Sequence, residues 1–364
     1  MRKTNVIIII LLTFFIIPKE SIFATTDYPY IFPSKNVLFS TEFKKDLFFI
    51  NSGFAFSFWG KKLPIKQPTF DKTSYITTPK IINYAYNIIT QSSDEGQAQI
   101  KVSDFDVYIG GEYFFSDSIF TNLGVFLRSR DFNNVSGFGF GDININLIFR
   151  FTKNPELYGS FGALIPLAGE PDEQIATFQR INQSSFGLDF PIYTLLKIPF
   201  ETENLNIAVL SSGGYIFRMS YPFFGQIISP GDVALGSIGI TTTLKNFFQT
   251  SSDISHNFAF GLFSSFIHGF PEDQRTSLYR VPGSSWDVIK SELTLAGKFK
   301  TKKDIFGEKI IREWLNLSLH FSFVLYERSF LKLDHPDYAI IRFPYIDRIK
   351  PGFYSSINLT FIFY

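Results

Sequence analysis

Gly137 to Phe151 reads GFGFGDININLIFRF. From Ile143 the odd positions are Ile143, Ile145, Leu147, Phe149 and Phe151. The even positions are Asp142, Asn144, Asn146 and Arg150, interrupted only by Ile148. A period of two sends alternate side chains to opposite faces of an extended chain, so this stretch is a β-strand with one apolar and one polar face. A sandwich and a barrel both use such strands, and the choice between them has to come from the surroundings.

The alternation recurs along the chain. Phe54, Phe56 and Phe58 alternate with Ala55 and Ser57, and Phe105, Val107, Ile109 and Tyr113 with Asp104, Asp106, Tyr108 and Glu112. Leu293, Leu295 and Phe299 alternate with Glu292, Thr294 and Lys298. Leu315 to Leu325 carries Asn316, Ser318, His320 and Ser322 between its apolar residues. The last stretch sets Ile357, Leu359, Phe361 and Phe363 against Asn358 and Thr360. Near Leu157, Phe186, Leu205, Val233 and Phe258 the pattern is blunter, with Gly, Ser and Ala in many alternate places.

Strands are expected at 48–59, 100–113, 119–128, 137–151, 157–166, 184–198, 205–217, 233–245, 256–267, 288–300, 313–326 and 352–364. The connections 114–118, 152–156 and 199–204 are short and polar, while 60–99, 129–136, 167–183, 218–232, 268–287 and 327–351 are longer. Long and short alternate through most of the chain, with 246–255 and 301–312 of medium length. Outer-membrane barrels sort their connections in this way, with short periplasmic turns and long outer loops, and a sandwich has no reason to. The expected fold is therefore an all-β, antiparallel transmembrane β-barrel of about 12 strands, or about 14 if 25–47 or 60–99 holds a further hairpin. An even count also brings both ends of the barrel to the same side.

The ends of the sequence agree with this reading. Arg2 and Lys3 precede an apolar run from Val6 to Ile17 that stops at Pro18, and Ser21-Ile22-Phe23-Ala24 ends on a small residue. Residues 1–24 thus read as a signal peptide cleaved after Ala24. The alternative is a membrane anchor, for which the run is short against the about 20 residues a spanning helix needs. Residues 25–47 are expected to be a periplasmic lead-in or a plug, and 48–364 the barrel. The chain finishes Asn-Leu-Thr-Phe-Ile-Phe-Tyr, and outer-membrane barrels typically finish on an aromatic-ended strand that the insertion machinery reads. That machinery, acting on the strand ending at Tyr364, and outer-membrane lipid are the expected partners.

Composition removes several classes. The chain has 46 Phe but no Cys, so it is neither a disulfide scaffold nor a thiolate metal site. The net charge of +1 changes little when Arg2, Lys3, Lys19 and Glu20 leave with the signal, and it offers nothing to a nucleic-acid partner. The four histidines, His256, His268, His320 and His335, include no pair at metal-ligand spacing. His320 has Ser318 and Ser322 on its own face, as alternation alone provides, but no third orienting group completes a catalytic set. Asp334, His335 and Asp337 lie in a loop, and Glu170, Asp172 and Glu173 lack the regular spacing of a calcium loop. No catalytic residue, metal or cofactor is expected.

One local pattern carries a family resemblance. GFGD at Gly139–Asp142, with Gly139 and Gly141, opens a strand. A turn with Pro155 follows, and the next strand ends LIPLAGEPDE at Leu164–Glu173, with Pro166 and Gly169. This resembles the outer-membrane channel family named after the meta pathway of phenol degradation, whose strands begin GxGD and then end on an LPTG-like segment. Here Leu167-Ala168 stand where that family has a small polar residue. The resemblance implies a barrel that passes small hydrophobic or aromatic compounds. On physical grounds alone, Gly-Asp makes a tight strand start.

The polar face is the candidate functional surface: Asp104, Asp106, Glu112, Asp142, Asn144, Asn146, Arg150, Glu292, Lys298, Asn316, His320 and Asn358. These residues would line an aqueous path and set its charge preference, or form a fixed network that plugs a narrow barrel. The aromatic and basic loop Ser329–Pro351 is a constriction, a docking surface or simple packing on the rim. The function expected from these residues is passive transport of small solutes. The alternative is a closed barrel whose loops bind a partner.

Overall fold

In a computed structural model, the described residues are 45–64, 97–132, 135–167, 187–223, 226–228, 231–249, 254–270, 286–305, 308–328 and 353–364. The strands are β1 (Phe48–Pro64), β2 (Gln97–Phe114), β3 (Ile119–Phe132), β4 (Val135–Lys153), β5 (Glu156–Ile165), β6 (Asp189–Glu201), β7 (Leu205–Arg218), β8 (Tyr221–Phe223), β9 (Gln226–Ile228), β10 (Val233–Gln249), β11 (Ser255–Gly269), β12 (Trp286–Ile305), β13 (Glu308–Arg328) and β14 (Phe353–Phe363). Twelve of them close into one antiparallel barrel in the order β1-β14-β13-β12-β11-β10-β7-β6-β5-β4-β3-β2, and β8 and β9 form a separate hairpin.

Each strand of the wall pairs with its sequence neighbour, apart from the step from β7 to β10 over the small hairpin. The seam joins the first strand to the last, from Phe48↔Phe363 to Phe58↔Phe353. Full closure leaves no strand edge unpaired, which is the condition for crossing lipid with strands. No helix among the described residues is long and apolar enough to cross a membrane. Phe48, Phe363 and the short connections lie at one end, here called the base. The opposite end, with most of the longer connections, is the mouth.

Register makes the two faces explicit. Phe54 pairs with Val107 and Ile357, and all three residues point outwards. Phe54, Phe105, Ile109, Leu123, Phe161, Ile192, Ile238, Ile240, Phe266 and Ile357 are exposed apolar residues on strands from every part of the wall. An apolar exterior on this scale has its natural solvent in hydrocarbon. Aromatic side chains collect at both ends of that surface. Phe48 meets Phe363 at 6.3 Å, Tyr113 meets Phe115 at 5.0 Å and Phe247 meets Phe248 at 4.7 Å at the base, and Tyr215 meets Phe217 at 4.7 Å near the mouth. Such girdles belong at the level of lipid headgroups.

Three expectations change in detail. The connection expected at 129–136 shrinks to residues 133–134, because β3 and β4 run on to Phe132 and Val135. Their alternation is broken there by Gly137, Gly139 and Gly141, so the sequence period fades before the pairing does. The loop expected at 218–232 contains the β8–β9 hairpin, with Tyr221↔Ile228 and Phe223↔Gln226. Among the described residues, these two short strands lie outside the barrel wall, and the further hairpin expected at 25–47 or 60–99 falls largely outside the described residues. At the base, β10 reaches Gln249 and β12 reaches Ile305, so the connections expected at 246–255 and 301–312 shrink to 250–254 and 306–307. Residues 1–44, with the expected signal peptide and most of the lead-in, lie outside the described residues, as do 65–96 and 329–352.

Candidate functional site: the barrel interior

The inner face has two unlike walls. On β2 and β3, register places Asp106 opposite Arg128 and Asp104 opposite Arg130. Both pairs are forked. Arg128 donates from Nε to Asp106 Oδ1 at 2.7 Å and from Nη2 to Oδ2 at 2.9 Å. Arg130 makes the same two bonds to Asp104 at 2.8 and 3.0 Å. All four side chains are buried, so two parallel charge-assisted bonds per pair offset a large desolvation cost. Further toward the base, Asn51 and Asn122 both donate to Glu112 Oε1, at 3.2 and 3.1 Å. On β4, Asn146 donates to Asn144 Oδ1 at 2.8 Å.

The opposing wall carries an apolar patch toward the mouth, bordered by buried Lys290 of β12 and by the ion pair of Arg218 with Asp189 at 3.7 Å. Leu164 of β5, Tyr193 of β6, Ile216 of β7, Val233 and Leu235 of β10, Ile267 of β11, Val288 of β12 and Val324 of β13 form one buried cluster. A second buried cluster lies at the base: Leu47, Phe49, Phe114, Phe120, Ile148, Tyr158, Leu195, Ala208, Leu210 and Phe263. Phe114 stacks on Phe120 at 4.6 Å and meets Phe49 at 5.0 Å. Ile148, which breaks the polar face of its strand in sequence, is a fully buried member of this layer.

Large rings fit inside because small residues lie beside them. A Cβ on Gly110 or Gly124 would come within 2.3 or 2.2 Å of Tyr108, so that ring lies across two strands that must have no side chain there. Gly239 and Gly261 stand in the same relation to Phe263. A further polar group spans β11, β12 and β13. Ser265 donates to Glu292 Oε1 at 2.6 Å, His320 Nε2 lies 3.6 Å from Glu292 Oε2, and Thr294 Oγ1 is 2.8 Å from His320 Nδ1.

The polar set expected from sequence falls on the inner side of the register. Asp104, Asp106, Glu112, Asp142, Asn144, Asn146, Glu292, Lys298 and His320 are buried, and Arg150, Asn316 and Asn358 are partly so. Asp104 and Asp106 are drawn into ion pairs on β2–β3, Glu292 and His320 meet on β12–β13, and Asn358 donates to Ser356 at 3.0 Å. The motif residues Gly139, Gly141 and Asp142 lie in β4 beside the irregularity between Val125↔Ile143 and Leu127↔Phe140. Pro166 immediately follows β5, and Gly169 lies outside the described residues. Ser318 and Ser322 flank His320 along β13, but its polar contacts go to Thr294 and Glu292 on β12. Sequence reading missed Arg128, Arg130, Lys197 and Lys290, all buried on the inner face. The first two were signalled by sharing parity with Asn122.

No protein-family model matches the chain, and no curated protein matches it. Among solved structures it is similar to an outer membrane channel from Pseudomonas putida F1, at 9% sequence identity and a TM-score of 0.50, over 89% of this chain and 97% of that one. The chain has the fold of an outer-membrane channel. The NanC porin (11% identity, TM-score 0.34, 71% of this chain and 93% of that one) and the Pseudomonas putida toluene transporter TodX (9%, 0.31, 93% and 95%) are more distant in shape.

Proposed function

We propose that this barrel sits in a bacterial outer membrane, with its base toward the periplasm, and is a passive channel for small hydrophobic or aromatic solutes. The observation that carries the reading is a patch of eight buried apolar side chains on β5–β13, facing the interior beside the ion-paired wall of β2–β3. A purely aqueous pore has little use for eight buried apolar side chains along its wall, whereas a solute with apolar surface does. The inward polar residues, from Asp104 to Asn358, line the path and fix its charge. The resemblance at Gly139–Asp142 points the same way. Export through a cleaved signal and insertion through the strand ending at Tyr364 complete the proposal, and no catalytic step is assigned to it.

The test is conductance of the refolded mature chain in a planar bilayer, after its gel mobility is shown to shift on boiling. Discrete current steps support the channel. The burial of the inner side chains favours one other reading, a closed barrel that acts through its loops. Deleting 327–351 separates the two: transport changes under the first reading, and only partner binding changes under the second. A chain that dissolves without detergent would overturn the membrane assignment itself.

A further inference from the structure

Above the base cluster, the wall from β1 to β4 presents a level of amides around one carboxylate. Each strand supplies a residue one inward position nearer the mouth than its member of that cluster. Asn51 follows Phe49, Glu112 precedes Phe114, Asn122 follows Phe120 and Asn146 precedes Ile148. Register sets Glu112 opposite Asn122, and Asn122 opposite Asn146. The amides of Asn51 and Asn122 both reach a single atom, Glu112 Oε1, at 3.2 and 3.1 Å. A carboxylate oxygen only accepts, so each amide must turn its N–H groups to Glu112 and its own oxygen away. Asn146 likewise directs its N–H groups to Asn144 Oδ1, at 2.8 Å. The oxygens that remain, Asn51 Oδ1, Asn122 Oδ1 and Asn146 Oδ1, are buried and accept no hydrogen bond from the described residues. Asn122 is only 6% exposed and Asn146 only 1%.

This level is bounded above and below. Beneath it lie the rings of Phe49, Phe114 and Phe120. Above it stands Tyr108, whose hydroxyl would be 2.3 Å from a Cβ on Gly110 and 2.4 Å from one on Gly124, the next inward positions of β2 and β3. Buried carbonyl oxygens without a donor are costly. Two of these belong to amides held on one carboxylate, and the third is in the adjacent position. Such a set offers acceptors only, and what it takes is a compact positive charge. A hard metal cation binds amide and carboxylate oxygens, and the ammonium group of a solute donates to them. Of the arginines on the same strands, Arg128 is forked on Asp106, and Arg150, past Ile148, reaches the rim at Asp117, 3.9 Å away. We infer that Asn51, Asn122 and Asn146, with Glu112, form a cation-binding site between the aromatic floor and Tyr108. The site goes beyond the channel reading, because it needs the barrel's interior but no current through it.

The refolded barrel, in a zwitterionic detergent and checked by heat-modifiable mobility, is melted at constant ionic strength while tetramethylammonium chloride is exchanged for calcium chloride or methylammonium chloride. Tetramethylammonium carries the charge but neither donates nor coordinates, so it controls for screening. A ligand bound by the folded state alone raises the thermal midpoint. The expected result is a rise of a few degrees that saturates with concentration. The rise is lost in Asn122→Leu and grows in Asn122→Asp, which keeps the oxygen and adds charge. A purely structural amide would lower the baseline midpoint in Asn122→Leu and give no ion-dependent rise to lose. Calcium acting alone assigns the site to a free metal ion, methylammonium acting alone to a solute head group, and both acting to a site open to either; each supports the inference. No rise with either cation, or an equal rise in wild type and Asn122→Leu, overturns it. Should Asn122→Leu not fold, Asn146→Leu takes its place, since it leaves both bonds to Glu112 intact. A midpoint rise without conductance keeps the site and removes the channel, and conductance without a rise does the reverse.

Discussion

The β2–β3 wall and the β6–β11 wall solve the same problem by different chemistry. Both must fill the space inside a twelve-stranded cylinder. The first fills it with long charged side chains locked in forked pairs, Arg128 on Asp106 and Arg130 on Asp104. The second fills much of it with Tyr193, Ile216, Leu235 and Ile267, and keeps its charges, such as Asp189 with Arg218, at its ends. A forked ion pair holds one geometry and tolerates the loss of neither partner. An apolar wall is held by packing, tolerates change in proportion to the volume removed, and is soft toward an apolar guest. The difference assigns rigidity to one wall and accommodation to the other.

The sharpest way to break this contrast is Arg128→Ala, which leaves Asp106 buried without its guanidinium. A loss of about 3–5 kcal/mol is expected in urea unfolding of the detergent-solubilised barrel. The paired replacement Asp106→Leu with Arg128→Met should lose far less, and if the two losses match, the wall is held by packing after all. On the apolar wall, Ile267→Ala removes a fully buried side chain and should cost about 2–5 kcal/mol by the same measurement. Ile267→Val should cost only about 0.5–1.5 kcal/mol, a graded response that the charged wall lacks.

Gly124→Ala tests the ring that lies beside the first wall. Its Cβ would fall 2.2 Å from Tyr108, so the ring has to move, at a cost of about 1–3 kcal/mol. A lowered thermal midpoint that the double variant with Tyr108→Phe fails to recover would show that the ring and not the hydroxyl is the obstacle. The smallest effect belongs to the base turn. The hydrogen bond from Lys153, aided by its charge, holds the Asp117 carboxyl below the usual carboxylate range. A depressed folded value means that the contribution is complete above the ordinary carboxylate value of about 4 and is lost as pH falls through the folded value. Because Asp117 is exposed, the effect is slight and fades with salt. Asp117→Asn should flatten the acid side of the thermal-midpoint curve at low ionic strength and leave the neutral side unchanged.

The same contrast explains what was legible in the sequence. Where the inner face is charged, as at Asp104, Asp106, Asp142 and Asn144, alternation is plain, and the expected bounds of β2 and β4 fall within a few residues of those observed. Where the inner face is apolar or small, as in β6, β7 and β10, both faces look alike, and a period of two has nothing to mark it. Expected strand 184–198 thus began five residues ahead of Asp189. The ion pairs were half visible. Asp104 and Asp106 stood out against Phe105, but which strand supplied their cations depended on register across a hairpin, and register is written in pairing, not in local pattern. Lys197 was hidden for a related reason: its neighbours on the inner face are Leu195 and Tyr193, so nothing near it in sequence announced a polar surface.

The seam between β1 and β14 has a consequence for how the molecule is made. Phe48 and Phe363 are partners, so the bond row that completes the cylinder waits until all twelve wall strands have been synthesised and delivered. Until then the sheet has two open edges, each able to template pairing with another chain. Contacts between such distant residues are also slow to form. The last step of folding is therefore the most exposed one, and the cell must hold this chain apart from its neighbours for as long as that step takes.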